Sequence, residues 1–218
     1  MTNPVYVKSY KSPAYNQKEI LRYAGVKSEE QSIIALISEC IKELEGKLSF
    51  QVCYREFPVE ISGNKVELGF TSATSKALAA NLNGCHSYIL FAASVGVEMD
   101  RLIAKYSALS PTKALIFQAI GAERIESLCD LFNNEVKEQY TNVKPRFSPG
   151  YGDFSIEYQR EIFTVLDCAK RIGVTLNESL LMSPSKSVTA IIGLGGDRAC
   201  KIETCENCSK SDCEFRRE

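Results

Sequence analysis

The sequence holds a single histidine, His86. That scarcity removes many mechanisms, multi-histidine metal sites among them. No apolar run reaches the length of a bilayer span. No sign of charge dominates: 26 Lys and Arg face 27 Asp and Glu, for a net charge of −1. A general attraction to nucleic acid or to anionic membrane is therefore not expected. Met1-Thr2-Asn3-Pro4 lacks the basic-then-apolar pattern of a secretory signal, so the expected location is the cytoplasm. No internal repeat or low-complexity segment is visible. The hydrophobic fraction of 44% and the charged fraction of 24% are those of an ordinary globular protein.

Cysteine, by contrast, is plentiful, with nine residues. An odd total without a signal pattern argues against a complete disulfide framework. Cys40, Cys53, Cys85, Cys129 and Cys168 lie in apolar segments and read as small buried hydrophobes. Cys200, Cys205, Cys208 and Cys213 crowd into a polar end as C-x4-C-x2-C-x4-C. Four clustered thiolates suit zinc or an iron–sulfur cluster, and a metal would supply order that so polar a segment cannot supply itself. The bland alternative is a tail of free or oxidised thiols. This shift in composition divides the chain into a module over residues 1–195 and a cysteine-rich tail over 196–218.

Within the module, Pro4 to Lys11 reads as a strand or arm and Asn16 to Tyr23 as a short helix. Ser28-Glu29-Glu30-Gln31 has a capping-box pattern. It opens a helix from Glu29 to Glu45 with Ile33, Ile37, Cys40, Ile41 and Leu44 at helical spacing. Leu48 to Ile61 and Lys65 to Phe70 flank Ser62-Gly63-Asn64 and read as a hairpin. Ser72 to Leu82 reads as an Ala-rich helix. Tyr88 to Val95 is a nearly unbroken apolar run, the pattern of a strand covered on both faces. Glu98 to Tyr106 is a further helix. Ser110-Pro111 then starts the longest one, with Phe117, Gly121, Ile125, Leu128, Phe132 and Val136 in one stripe. A helix from Ser155 to Ile172 ends at Gly173, and Leu176 to Met182 with Val188 to Leu194 suggests a last hairpin. The expected fold class is α+β, with a mainly antiparallel twisted sheet and long helices.

Between the two longest helix patterns lies Arg146-Phe147-Ser148-Pro149-Gly150-Tyr151. Arg146 is a planar fork of donors suited to a carboxylate or phosphate. Pro149 stiffens the loop and Gly150 permits a turn other residues resist. Tyr151 adds a flat face and a hydroxyl. The bland reading is a Pro-Gly surface turn. His86, in Gly84-Cys85-His86-Ser87, reads most simply as a strand-entry histidine.

The loop, a helix, Ile172-Gly173-Val174-Thr175-Leu176-Asn177-Glu178-Ser179, Met182-Ser183-Pro184 and Ser187-Val188-Thr189-Ala190 follow one another in an order that resembles the activation domain of cobalamin-dependent methionine synthase. The resemblance covers Ser28 to Leu194 and is most specific in its last third. It implies a site for S-adenosylmethionine at Arg146, Ser148, Gly150 and Tyr151, with Glu178 as a supporting residue or a local pairing at a strand edge. It implies cobalamin supplied by a partner corrinoid protein or by methionine synthase modules. It also implies an electron donor of flavodoxin or ferredoxin type. No residue is assigned a catalytic role, because reduced cobalt is itself the nucleophile and the protein positions.

Two contacts of the family, an N-terminal acidic residue and a C-terminal tyrosine, match no position here. That leaves the pocket incomplete or completed by a partner. The chain lacks room for folate and homocysteine modules and is not expected to make methionine alone. The implied function is a module for reductive reactivation of cobalamin, acting in trans. The alternative is an iron–sulfur or zinc redox or docking partner of a corrinoid protein, without its own S-adenosylmethionine binding. An ordinary S-adenosylmethionine-dependent methyltransferase is disfavoured, since no Gly-rich loop follows an early strand.

Overall fold

A computed structural model of the protein describes residues 3–26 and 30–195. It begins with strand β1 (Tyr6–Tyr10) and helix α1 (Gln17–Tyr23). Asn16 caps α1 by accepting the Glu19 N–H at 3.3 Å. Helix α2 (Gln31–Leu44) buries Ile37, Cys40 and Leu44, which share one face. Strand β2 (Phe50–Pro58) follows, then three short strands, β3 (Glu60–Ser62), β4 (Lys65–Glu67) and β5 (Ser72–Thr74). After helix α3 (Lys76–Asn81) come strand β6 (Ser87–Ser94) and helices α4 (Glu98–Leu109) and α5 (Pro111–Gln139). Ser110 and Pro111 take the N-cap and first helical positions of α5, as their order predicts. The C-terminal third holds a 3-10 turn (Ile156–Tyr158), helices α6 (Gln159–Leu166) and α7 (Cys168–Ile172), and strands β7 (Thr175–Leu176), β8 (Met182–Ser183) and β9 (Ser187–Leu194).

The main sheet has the order β1-β2-β6-β9, antiparallel throughout, with Tyr54 opposite Phe91 and Phe91 opposite Ala190. Strand β6 is buried from Tyr88 to Ser94, which is why its sequence is apolar without alternation. Its side chains nevertheless alternate between two cores. Ile89, Phe91 and Ala93 pack with α1, α2, α4 and α5, and Tyr88, Leu90 and Ala92 pack with α3, α6 and α7. The predicted stripe of α5 lies on the first core, where Phe117, Ile125, Leu128, Phe132 and Val136 are buried. The five cysteines of the body are buried, as expected of small hydrophobes.

Several local expectations are corrected. Helix α2 starts at Gln31 behind Glu30, which makes no side-chain cap. Gln31 is thus a first-turn residue; Ser28, the other half of the expected capping box, lies outside the described residues. The predicted helix over Ser72 to Leu82 gives up its first three residues to β5, and Ser75 caps what remains by accepting Leu78 N–H at 3.0 Å. The hairpin around Gly63-Asn64 exists, but as β3 and β4 of a separate small sheet completed by β5. The long helix to Ile172 is interrupted at Asp167, in left-handed backbone at φ 52°. The last hairpin does not form as predicted: β8 pairs with β7, and β9 pairs with β6. An eight-residue strand so apolar finds cover on both faces beside β6, where Ala190, Ile192 and Leu194 join one core and Ile191 the other.

Candidate functional site

After α5 the chain returns along the outer edge of β9. Val143 bridges Leu194 and Phe147 bridges Ile191, both antiparallel. Phe147 N–H donates to Ile191 O at 2.9 Å, and Ile191 N–H donates back at 2.8 Å. The loop then turns sharply. Tyr151 N–H donates to Ser148 O at 3.2 Å, and Gly150 N–H to Phe154 O at 2.7 Å. Gly150, at φ +94°, sits in backbone that side chains resist, and its bare chain is exposed. Pro149 beneath it is buried.

Three residues beyond Gly150, Asp153 accepts Ser75 Oγ at 2.5 Å and the Lys76 and Ala77 N–H groups at 2.8 and 3.0 Å. The loop is therefore fastened at one end to β9 and at the other to the first turn of α3. Phe147, Phe154 and Tyr158 carry it inward, with Phe154 and Tyr158 stacked at 5.1 Å. The Tyr151 ring, 6.2 Å from Phe147, is 63% exposed, so it is held at its base and offered to solvent at its face.

Extended backbone sends Arg146 to the opposite side from Phe147. Its Nη2 lies 2.8 Å from Asp130 Oδ1 and 3.2 Å from Glu126 Oε2, both on α5. Beside it, burial pushes the Cys129 thiol up to about 12, and the Arg146 guanidinium draws it only partly back. One guanidinium and two carboxylates thus stand together at α5, with Arg146 in the segment that leads into the glycine turn. This arrangement has acceptors for an ammonium and a fork of donors for a carboxylate, the two ends of an amino-acid zwitterion. Glu126 and Asp130 escaped the sequence reading. Their only signal there is acidic residues four apart on the polar face of α5, which ordinarily means solvent.

Residues 70–200, more than half of the chain, match the family described as vitamin B12 dependent methionine synthase, activation domain. The chain belongs to that family. The fold agrees: it is similar to a crystal structure of the MetH reactivation domain bound to AdoHcy, with a TM-score of 0.64 at 17% identity. That match covers 90% of this chain and 80% of the other.

In this activation domain Ser148, Gly150 and Tyr151 share one turn, with Ser148 half-buried, while Arg146 precedes that turn and pairs with α5. Glu178 is exposed in the turn between β7 and β8. Its backbone oxygen accepts Arg160 Nη2 at 3.0 Å, which ties it to α6 rather than to Arg146. His86 immediately precedes β6 and its N–H donates to Leu194 O, the strand-entry role expected of it. Cys200, Cys205, Cys208 and Cys213 lie outside the described residues. Among the described residues no group of three or more His, Cys, Asp or Glu is placed to hold a metal. No described helix is long and apolar enough to cross a membrane.

Proposed function

We propose that this activation domain binds S-adenosylmethionine at the 146–151 loop and holds it for reductive methylation of cobalamin carried by a separate corrinoid protein. When cobalamin is presented, its reduced cobalt supplies the nucleophile and the ligand's sulfonium supplies the methyl group. The chain's own residues bind and orient. Arg146 takes the methionyl carboxylate, and Glu126 and Asp130 take the ammonium. The bare backbone at Gly150 lets the adenosine come close. The exposed face of Tyr151 suits a positively charged sulfonium. Glu178, joined to the first turn of α6 through Arg160, stands at the margin. The electron comes from a donor of flavodoxin or ferredoxin class. The tail cysteines, Cys200, Cys205, Cys208 and Cys213, are ligands for zinc or an iron–sulfur cluster.

The observation that carries this reading is the Arg146 guanidinium held 2.8 Å from Asp130 in the segment that leads into the glycine turn. The test is calorimetric titration of S-adenosylmethionine into the full chain and into Arg146→Ala. Loss of a charge-assisted fork costs about 1.5–3 kcal/mol, so affinity should fall roughly tenfold to a hundredfold. Equal binding by the variant would remove Arg146 from the site. Absence of binding by the unaltered chain would overturn the reading.

A further inference from the structure

A cavity of about 260 Å³ opens between β1, β2 and the C-terminal half of α5. It is not an extension of the Arg146 loop. At 3.6 residues per turn, Asp130 and Glu135 point about 140° apart around α5. Arg146 reaches the first flank and Lys8 and Tyr10 reach the second.

Aromatic rings make its wall. Tyr6 stacks on Tyr54 at 5.5 Å, and Tyr54 meets Phe132 at 5.1 Å, tilted by 51°. Tyr140 lines the same space. Two carboxylates also line it, and their surroundings differ. Glu135 is ion-paired with Lys8 and accepts Tyr10 Oη at 2.5 Å. These partners hold its carboxyl below its ordinary range, while burial, and then the bond to Glu135, pushes the Tyr10 phenol up. Glu56 accepts only hydroxyls, Ser87 Oγ at 2.7 Å and Tyr140 Oη at 3.2 Å. A carboxylate offers about four lone-pair positions, so these two hydroxyls fix its orientation and leave acceptor capacity unused. Among the described residues no cation is ion-paired with Glu56; Lys8, in the same lining, is paired with Glu135. The lining therefore carries one surplus negative charge, set among the faces of tyrosine and phenylalanine.

We infer that this cavity binds a small organic ammonium ion through the Glu56 carboxylate and the rings of Tyr6, Tyr54, Phe132 and Tyr140. Ring faces attract cations, and the effect grows where water is excluded. An anion would meet Glu56 and Glu135 with only Lys8 to offset them. The volume lies just below the usual range for drug-sized ligands, about 300–1,000 Å³, and so suits an amine of few carbons. This site is independent of the Arg146 reading.

The probe is tetramethylammonium, titrated into the full chain at constant ionic strength and followed by NMR of the aromatic ring resonances. Saturable shifts are expected, with affinity about tenfold weaker in Glu56→Gln, a loss of about 1.4 kcal/mol. Tyr6→Ala should weaken binding similarly. Tyr6 is 50% exposed, so its removal leaves the fold intact. Arg146→Ala should bind the probe as well as the unaltered chain. No saturable shift in the unaltered chain would overturn the inference, as would equal binding by both Glu56→Gln and Tyr6→Ala.

Discussion

Asp153 is exposed, yet its carboxyl is held down from an ordinary 3.8 to about 2. The largest cause is the Ser75 hydroxyl, followed by the Ala77 and Lys76 backbone N–H groups, all of which donate to the charged form. A carboxyl depressed in the folded state stabilises above its unfolded value, and that contribution is lost as pH falls through the folded one. Thermal melts should therefore show a loss of stability between about pH 4 and pH 2 that Asp153→Ala lacks. At neutral pH the same variant should melt below the unaltered chain. Parallel pH profiles for the two would refute the fastening role. Nothing in Gly152-Asp153-Phe154 announces it, because the partner turn lies 76–78 residues away. Arg124 is a second case. Next to Glu123 in sequence it reads as one more surface charge. In the fold it is fully buried, pairs with Glu123 at 2.5 Å, and donates to Pro13 O and Ala14 O at 2.6 and 2.8 Å. Tyr15 lies over it at 3.9 Å. The pair anchors the segment before α1 to α5, and only tertiary structure reveals why α5 carries charge on a buried face. Arg146 was singled out through the family resemblance, since its loop alone reads as a surface turn. Its acidic neighbours Glu126 and Asp130 carried no such signal.

At the scale of elements, periodicity was informative where one face is buried and silent where two are. The stripe of α5 and the run of β6 were readable from spacing alone. The partner of β9 was not, because a short apolar run says that it is covered without saying by what. Its true place beside β6 makes a specific demand on Gly193. A side-chain carbon there would meet Cys85 Sγ at 2.7 Å, Leu82 Cδ2 at 2.8 Å and Lys144 Cγ at 3.0 Å. Gly193→Ala should therefore destabilise the protein by about 1–3 kcal/mol, the usual range for overpacking a closed site. A denaturant titration measures it. The same strand carries the 143–147 segment on its outer edge, so the variant should also loosen the start of the Arg146 loop. An unchanged midpoint would mean that the β9 register differs from the one described. The break at Asp167 is the opposite case. A left-handed non-glycine residue inside a strong helix pattern leaves no compositional sign, and the pattern reads straight through it.

At the scale of the molecule, the antiparallel α+β class was legible, while the sheet order was not. Placing β1, β2, β6 and β9 side by side pairs strands far apart in sequence, which local patterns do not encode. The resulting body draws both cores from residues between Ile20 and Leu194. Among the described residues those cores close on themselves. A metal held by Cys200, Cys205, Cys208 and Cys213 is therefore expected to add its binding energy chiefly to the polar tail, which has too few apolar residues for a core of its own. Metal analysis of anaerobically purified full chain should return zinc or iron, with iron accompanied by visible absorption. Stripping it with a chelator should move the main thermal transition by no more than about 2 °C. In a chain of this size a shift of roughly 2–4 °C corresponds to about 1 kcal/mol. Alanine in place of all four cysteines should give the same transition as the stripped protein. A fall well beyond about 4 °C on stripping would make the tail a structural part of the body. It would also move the centre of the functional reading from the Arg146 loop toward the cluster.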